Sequence, residues 1–147
     1  MSRGLAVLLG AGAGCLVGMQ APVNSRLGKS VGSLQAASVS FLVGTVALLL
    51  VTTFYKGGLG GIGKIGDAPW WALVGGLFGA VYVTVAIFTV QTLGASGLTA
   101  VVIGGQLAIS VIIDRFGLLG LPRQAIGVDR IIGLVLLVAG VALVVRK

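Results

Sequence analysis

The sequence contains no histidine, one cysteine and only three acidic residues. Cys15 alone cannot form an internal disulfide, and without histidine it cannot build a cysteine–histidine metal site. Catalytic pairs of serine or cysteine with histidine are excluded for the same reason, and no glycine-rich loop is followed by a lysine–serine pair. We therefore expect no enzyme, no bound metal and no cofactor.

Charge is scarce as well, at 9% of residues, against about 25% in soluble domains. Because 57% of the 147 residues are hydrophobic, a soluble chain could not cover itself with polar groups, and we expect a lipid bilayer as the solvent. The 26 glycines follow no three-residue repeat, so they favour closely packed membrane helices over collagen. The net charge of +7 comes from lysines and arginines at the ends of apolar runs, which indicates membrane anchoring and no nucleic-acid partner.

Five apolar stretches predict an all-α integral membrane protein with five transmembrane helices in a single domain, residues 1–147. A spanning helix needs about 20 apolar residues, and the three shorter stretches reach this length if flanking polar residues snorkel to the interface. The predicted helices cover residues 4–21, 34–55, 69–90, 97–114 and 130–146. The links are 24–33, a flexible glycine-rich 56–67, 91–97 and 115–129, and their brevity predicts antiparallel neighbours in one bundle.

The distribution of positive charge favours a cytoplasmic N-terminus only weakly, by six basic residues to four. Such a small bias permits insertion in both directions, so dual topology stays open. The six on the N-terminal side are Arg3, Lys56, Lys64, Arg115, Arg123 and Arg130, and the four on the other are Arg26, Lys29, Arg146 and Lys147.

Small residues recur at helical spacing on two predicted helices. Gly10, Gly14 and Gly18 lie four residues apart on the first, and Gly75 and Gly79 on the third. Stripes of this kind allow another backbone to come close. We therefore assign these five glycines to helix packing.

The first helix ends in polar residues around a proline. Pro22 removes a backbone donor and disfavours helical geometry at the residue before it, so we predict that the helix kinks or ends there. Gln20 and Asn24 flank this break, and broken helix ends form substrate sites in transporters. The alternative is an ordinary helix exit with polar caps.

The third and fourth helices carry further candidates. Tyr82 is either a cavity wall or a packing aromatic. Gln106, Ser110 and Asp114 lie four residues apart in the stretch GGQLAISVIIDR. A bare amide in hydrocarbon costs several kcal/mol, so Gln106 needs either an interhelical partner or a wet cavity. Asp114 marks the helix end as an anchor, or else accepts a cation or proton at a cavity mouth.

Four segments together resemble the short, YdcZ-like branch of the drug/metabolite transporter superfamily. They read GMQAPVNSRLGKSVGSLQAASVSFLVGT, PWWALVGGLFGAVYVT, GGQLAISVIIDRFGLLGLP and RIIGLVLLVAGVALV. The resemblance implies a multi-pass protein of the bacterial inner membrane that corresponds to half of a ten-helix inverted-repeat transporter. A free five-helix chain would restore that arrangement as an antiparallel homodimer, or as a heterodimer with an oppositely oriented paralogue.

The small multidrug-resistance members of the superfamily rely on a glutamate in the first helix, where this chain has Gly14, Cys15 and Gly18. We therefore expect export of a small polar or amphipathic metabolite or drug-like compound without that proton-coupled mechanism, through alternating access of a dimer. The alternatives are a non-transporting structural or accessory subunit and a small dual-topology ion channel. The residues predicted to line the substrate cavity are Gln20, Asn24, Tyr82, Gln106 and Ser110.

Overall fold

The computed structural model of the chain describes residues 1–55 and 58–146, so Lys56, Gly57 and Lys147 lie outside the described residues. The described residues form helices and no strand. Short 3-10 segments at Gly58–Asp67, Trp70–Val74 and Leu118–Gly120 accompany the α-helices. The α-helices are α1 (Arg3–Val31), α2 (Ser33–Phe54), α3 (Gly75–Phe116) and α4 (Val128–Val145).

The first helix does not end where the sequence predicted, because α1 continues through Pro22 to Val31. A proline removes one hydrogen bond from the helix, a loss that membrane helices tolerate when their surroundings compensate for it. The chain turns instead at Gly32, whose φ of 96° favours glycine. The predicted link of residues 24–33 is thus reduced to one residue between α1 and α2.

The third helix is long enough to cross a bilayer twice. Its 42 residues span about 63 Å at 1.5 Å per residue, whereas the hydrocarbon core is about 30 Å thick. Near its middle, Gly94 leaves the helical conformation with φ 70° and ψ 172°. This break divides α3 into α3a (residues 75–93) and α3b (residues 95–116), so that the predicted 91–97 link is a single residue.

Within residues 1–55 and 58–146, four helices are long and apolar enough to cross a membrane. With α3 divided at Gly94 they form five apolar helical segments, and the predicted all-α membrane fold is confirmed. Two local details differ from the predictions. The glycine-rich link has 3-10 conformation over Gly58–Asp67, and α3b ends at Phe116, two residues beyond the predicted 114. The flexibility of the link stays a prediction.

The chain divides into two compact units, unit 1 (Met1–Gln91) and unit 2 (Thr92–Lys147). The core of unit 1 is formed by Ala36 and Ala37 of α2 with Val83 and Ile87 of α3a. Small alanine side chains let these helices approach closely. In unit 2, none of the residues of α4, all of which are described, is buried. The prediction of a single domain stays a prediction.

Candidate functional site

The residues predicted to line one substrate cavity fall into both units. Gln20, Asn24 and Tyr82 belong to unit 1, whereas Gln106 and Ser110 belong to unit 2. A common cavity built from all five therefore stays a prediction, and each group has its own surroundings.

Asn24 has the most unusual surroundings of the predicted residues. Its side chain is only 5% exposed, and its Nδ2 has no hydrogen-bond partner among the described residues. An unsatisfied buried donor costs about 1–3 kcal/mol, and such groups in folded proteins call for a ligand, water or strain to explain them. Gln20 is exposed, and Tyr82 is half-buried against the alanine-rich core of unit 1.

Unit 1 contains a polar cavity of about 510 Å³, here called the basic cavity. One wall is a single face of α1, and the other is the end of α3a, where Gln91 Nε2 donates to the carbonyl of Ile87 at 3.1 Å. The residues that line the basic cavity are Pro22, Ser25, Arg26, Lys29, Val90 and Gln91.

Sequence reasoning missed the basic cavity because it placed Ser25, Arg26 and Lys29 in a loop. Had α1 been extended past Pro22, these residues would have followed Pro22 by three, four and seven positions, and this spacing places all four on one helical face. The overlooked signal was thus a polar stripe that continues the helix.

Unit 2 contains a cavity of about 370 Å³, lined by the polar residues Ser110, Asp114 and Arg130 and otherwise by apolar residues of α3b and α4. Asp114 Oδ2 accepts a hydrogen bond from Arg130 Nη1 at 2.9 Å. Arg130 Nη2 donates in turn to Gln124 Oε1 at 2.8 Å. Because Arg130 balances the charge of Asp114, the geometry favours an anchoring role for Asp114 over a cation site.

The loop between α3b and α4 caps the end of α3b. Gly117 adopts the left-handed conformation with φ 62°, which commonly ends a helix. The Gln124 N–H donates to the carbonyl of Asp114 at 2.8 Å, and Arg123 Nε donates to the carbonyl of Arg115 at 3.0 Å. These bonds satisfy helix-end carbonyls that would otherwise lack donors.

The deepest polar residue by sequence, Gln106, is exposed on α3b and does not line the cavity that contains Ser110. A third cavity, of about 600 Å³, lies between α3b and α4 and is lined mainly by apolar side chains such as Ile103 and Leu136. Neither unit 2 cavity therefore provides Gln106 with a partner.

The predicted packing glycines differ in their surroundings. A Cβ added at Gly79 would lie 3.3 Å from the ring of Phe41, so α2 and α3a approach closely there. At Gly10, Gly14, Gly18 and Gly75, no described atom of unit 1 lies within 4 Å of such a Cβ. Contacts within unit 1 do not account for these four glycines, so their packing role stays a prediction.

The five apolar helical segments of the described residues define a multi-pass α-helical membrane protein. Residues 5–143 match the family described as "Putative inner membrane exporter, YdcZ", and the chain belongs to this family. The chain is 33% identical over 145 residues to the inner membrane protein YdcZ of Escherichia coli (strain K12), covering 97% of this chain and 95% of that protein. No solved structure matches this chain.

The match confirms the family resemblance drawn from the sequence and, with it, the multi-pass inner-membrane location. It also supports a transporter-like role in the membrane.

Proposed function

We propose that the chain is one subunit of a dimeric exporter that moves a small polar or amphipathic metabolite or drug-like compound. The observation that carries this proposal is the match to an inner-membrane exporter family over residues 5–143. The match reaches into every helical segment of the described residues, from α1 to α4. The proposal includes no catalytic step.

Two features without a partner among the described residues support a dimer. Gln106 is exposed on an apolar helix, and an amide without a partner in hydrocarbon costs several kcal/mol. The stripe of Gly10, Gly14 and Gly18 is uncovered within unit 1, although such stripes ordinarily receive another helix. A second chain would cover the glycine stripe and would enclose the cavity that Gln106 is predicted to line.

The odd number of helical segments favours an antiparallel partner. In a ten-helix transporter the second five-helix half enters the membrane from the opposite side, and the substrate site lies between the halves. A second copy of this chain, or a paralogue, inserted in the opposite direction would recreate that relation. Alternating access would then be a rocking of one subunit against the other.

The acidic residues support transport without a buried proton relay. Asp67 and Asp129 lie outside the apolar part of the helices, and Asp114 is paired with Arg130. Coupled pumps usually use carboxylates within the membrane as proton relays. We therefore propose an uncoupled or weakly coupled exporter.

The test is flux in proteoliposomes that contain the purified chain and a panel of metabolites and drug-like compounds. Gln106→Ala should abolish flux while expression and dimerisation persist. The matched variant Gln35→Ala changes an exposed glutamine at the start of α2 and should keep flux, expression and dimerisation. Absence of flux for the unaltered chain across the panel would contradict transport and favour an accessory subunit. A steady passive ion current would favour a channel.

A further inference from the structure

The basic cavity of unit 1 differs in composition from the two unit 2 cavities described above. Four of its six lining residues have polar side chains, namely Ser25, Arg26, Lys29 and Gln91. The unit 2 cavities are lined mostly by apolar residues. The transport proposal gives the basic cavity no role.

Positive charge in the basic cavity is not balanced by an acidic side chain. The three acids of the chain are Asp67, Asp114 and Asp129, and none of them lines it. Among the residues that the structure describes, the one ion pair joins Asp114 to Arg130. Arg26 and Lys29 therefore present charge to a space that contains no anion of the protein.

Neutral donors add to this excess. The buried Ser25 hydroxyl and the Gln91 amide line the same space, and the bond from Gln91 to the carbonyl of Ile87 holds that amide in place. Asn24, one residue before Ser25, contributes a buried Nδ2 without an acceptor to this part of α1. This end of unit 1 thus combines two cations with several neutral side chains that can donate hydrogen bonds.

Membrane anchoring alone explains only part of the arrangement. Basic residues near a helix C-terminus complement the helix dipole and reach lipid headgroups from any face of the helix. Neither effect requires that both cations share one concave surface with Ser25 and Gln91. The volume of about 510 Å³ lies within the range of small-molecule sites, about 300–1,000 Å³.

We propose that the basic cavity binds an anionic group, a phosphate or a carboxylate, between Arg26 and Lys29. The guanidinium offers two parallel N–H donors that match two anion oxygens, and the ammonium adds a compact positive charge. Ser25 and Gln91 contribute neutral hydrogen bonds. Since α1 and α3a both end near the cavity, it lies at a membrane boundary, where headgroup phosphates and soluble anions both have access.

The proposal stands independently of transport and is tested by binding. The purified chain in phosphatidylcholine nanodiscs is unfolded by heat while inorganic phosphate or citrate is titrated at constant ionic strength. A parallel series replaces part of the phosphatidylcholine with phosphatidylglycerol, and native mass spectrometry detects retained lipid. Arg26→Gln/Lys29→Gln is compared with Arg3→Gln/Lys64→Gln, which removes the same charges outside the cavity.

We expect saturable stabilisation of the unaltered chain and of the Arg3/Lys64 control, with apparent affinity weakened about tenfold or more in the Arg26/Lys29 variant. Stabilisation by phosphate or citrate identifies a soluble anion, and stabilisation only in phosphatidylglycerol nanodiscs identifies a headgroup. No shift in either series, or equal loss in both double variants, overturns the proposal. If the Arg26/Lys29 variant does not fold, Arg26→Gln is compared with Arg3→Gln.

Discussion

In unit 1, buried alanines let α2 and α3a pack closely, whereas in unit 2 α3b and α4 meet through an ion pair and a glycine. Ala36 and Ile87 are fully buried, while no residue of α4 is. Contacts between α3b and α4 in unit 2 include the Asp114–Arg130 pair. Val141 also approaches Gly104, where an added Cβ would lie 3.7 Å from the Val141 side chain. Unit 1 thus contains its own core, and α4 keeps its apolar surface for lipid or another chain.

The largest expected effect tests this difference in burial. Ile87→Ala should lower the free energy of unfolding by about 2–5 kcal/mol, because it leaves a cavity in the core of unit 1. Ile132→Ala makes the same change on α4, where the side chain is 54% exposed, and should cost less than about 0.5 kcal/mol. Unfolding by sodium dodecyl sulfate in mixed micelles measures both. Equal losses would show that α4 is packed as tightly as the core of unit 1.

A smaller effect is expected at the break in α3. Gly94→Ala should cost about 1–3 kcal/mol, because φ 70° with ψ 172° is a conformation essentially restricted to glycine. Its control, Gly76→Ala, lies in α3a with open space around it, and should be neutral or stabilising by up to about 1 kcal/mol. The same unfolding assay applies. A neutral Gly94→Ala would argue against the break.

The smallest effect concerns the ion pair of unit 2. A double-mutant cycle of Asp114→Asn and Arg130→Gln should give a coupling energy of about 1 kcal/mol, since the side chains are 27% and 38% exposed and partly screened by solvent. The coupling should weaken as salt is added. Strictly additive losses would show that the pair does not join α3b to α4.

The length of the apolar stretches was sufficient to predict five segments, because spanning a bilayer is set by length and hydropathy. The link predicted at residues 91–97 also contains Gly94, the residue at which α3 breaks. The path of α1 was not predictable in this way, because whether a helix continues past a proline depends on compensation from its neighbours. That error also hid the basic cavity.

The candidate site was predictable only in part, because the partners of its polar residues are distant in the sequence. A polar residue such as Gln106 is easily found in an apolar stretch, but its partner is not encoded locally. Arg130 lies 16 residues from Asp114 and reaches it only because the loop after Gly117 folds back. The burial of Asn24 follows from the packing of unit 1 and carries no local sequence signal.

The central claim is that α3 crosses the membrane twice, which gives five spans and places the two termini on opposite sides. The most direct test uses Ser2→Cys/Arg146→Cys in a Cys15→Ala background, in sealed vesicles treated from outside with a bulky, impermeant maleimide polymer. Five spans predict one polymer per chain in either orientation, so the result does not depend on dual topology. Chains that carry two polymers or none, with both cysteines reactive after solubilisation, would mean an even number of spans and contradict the account.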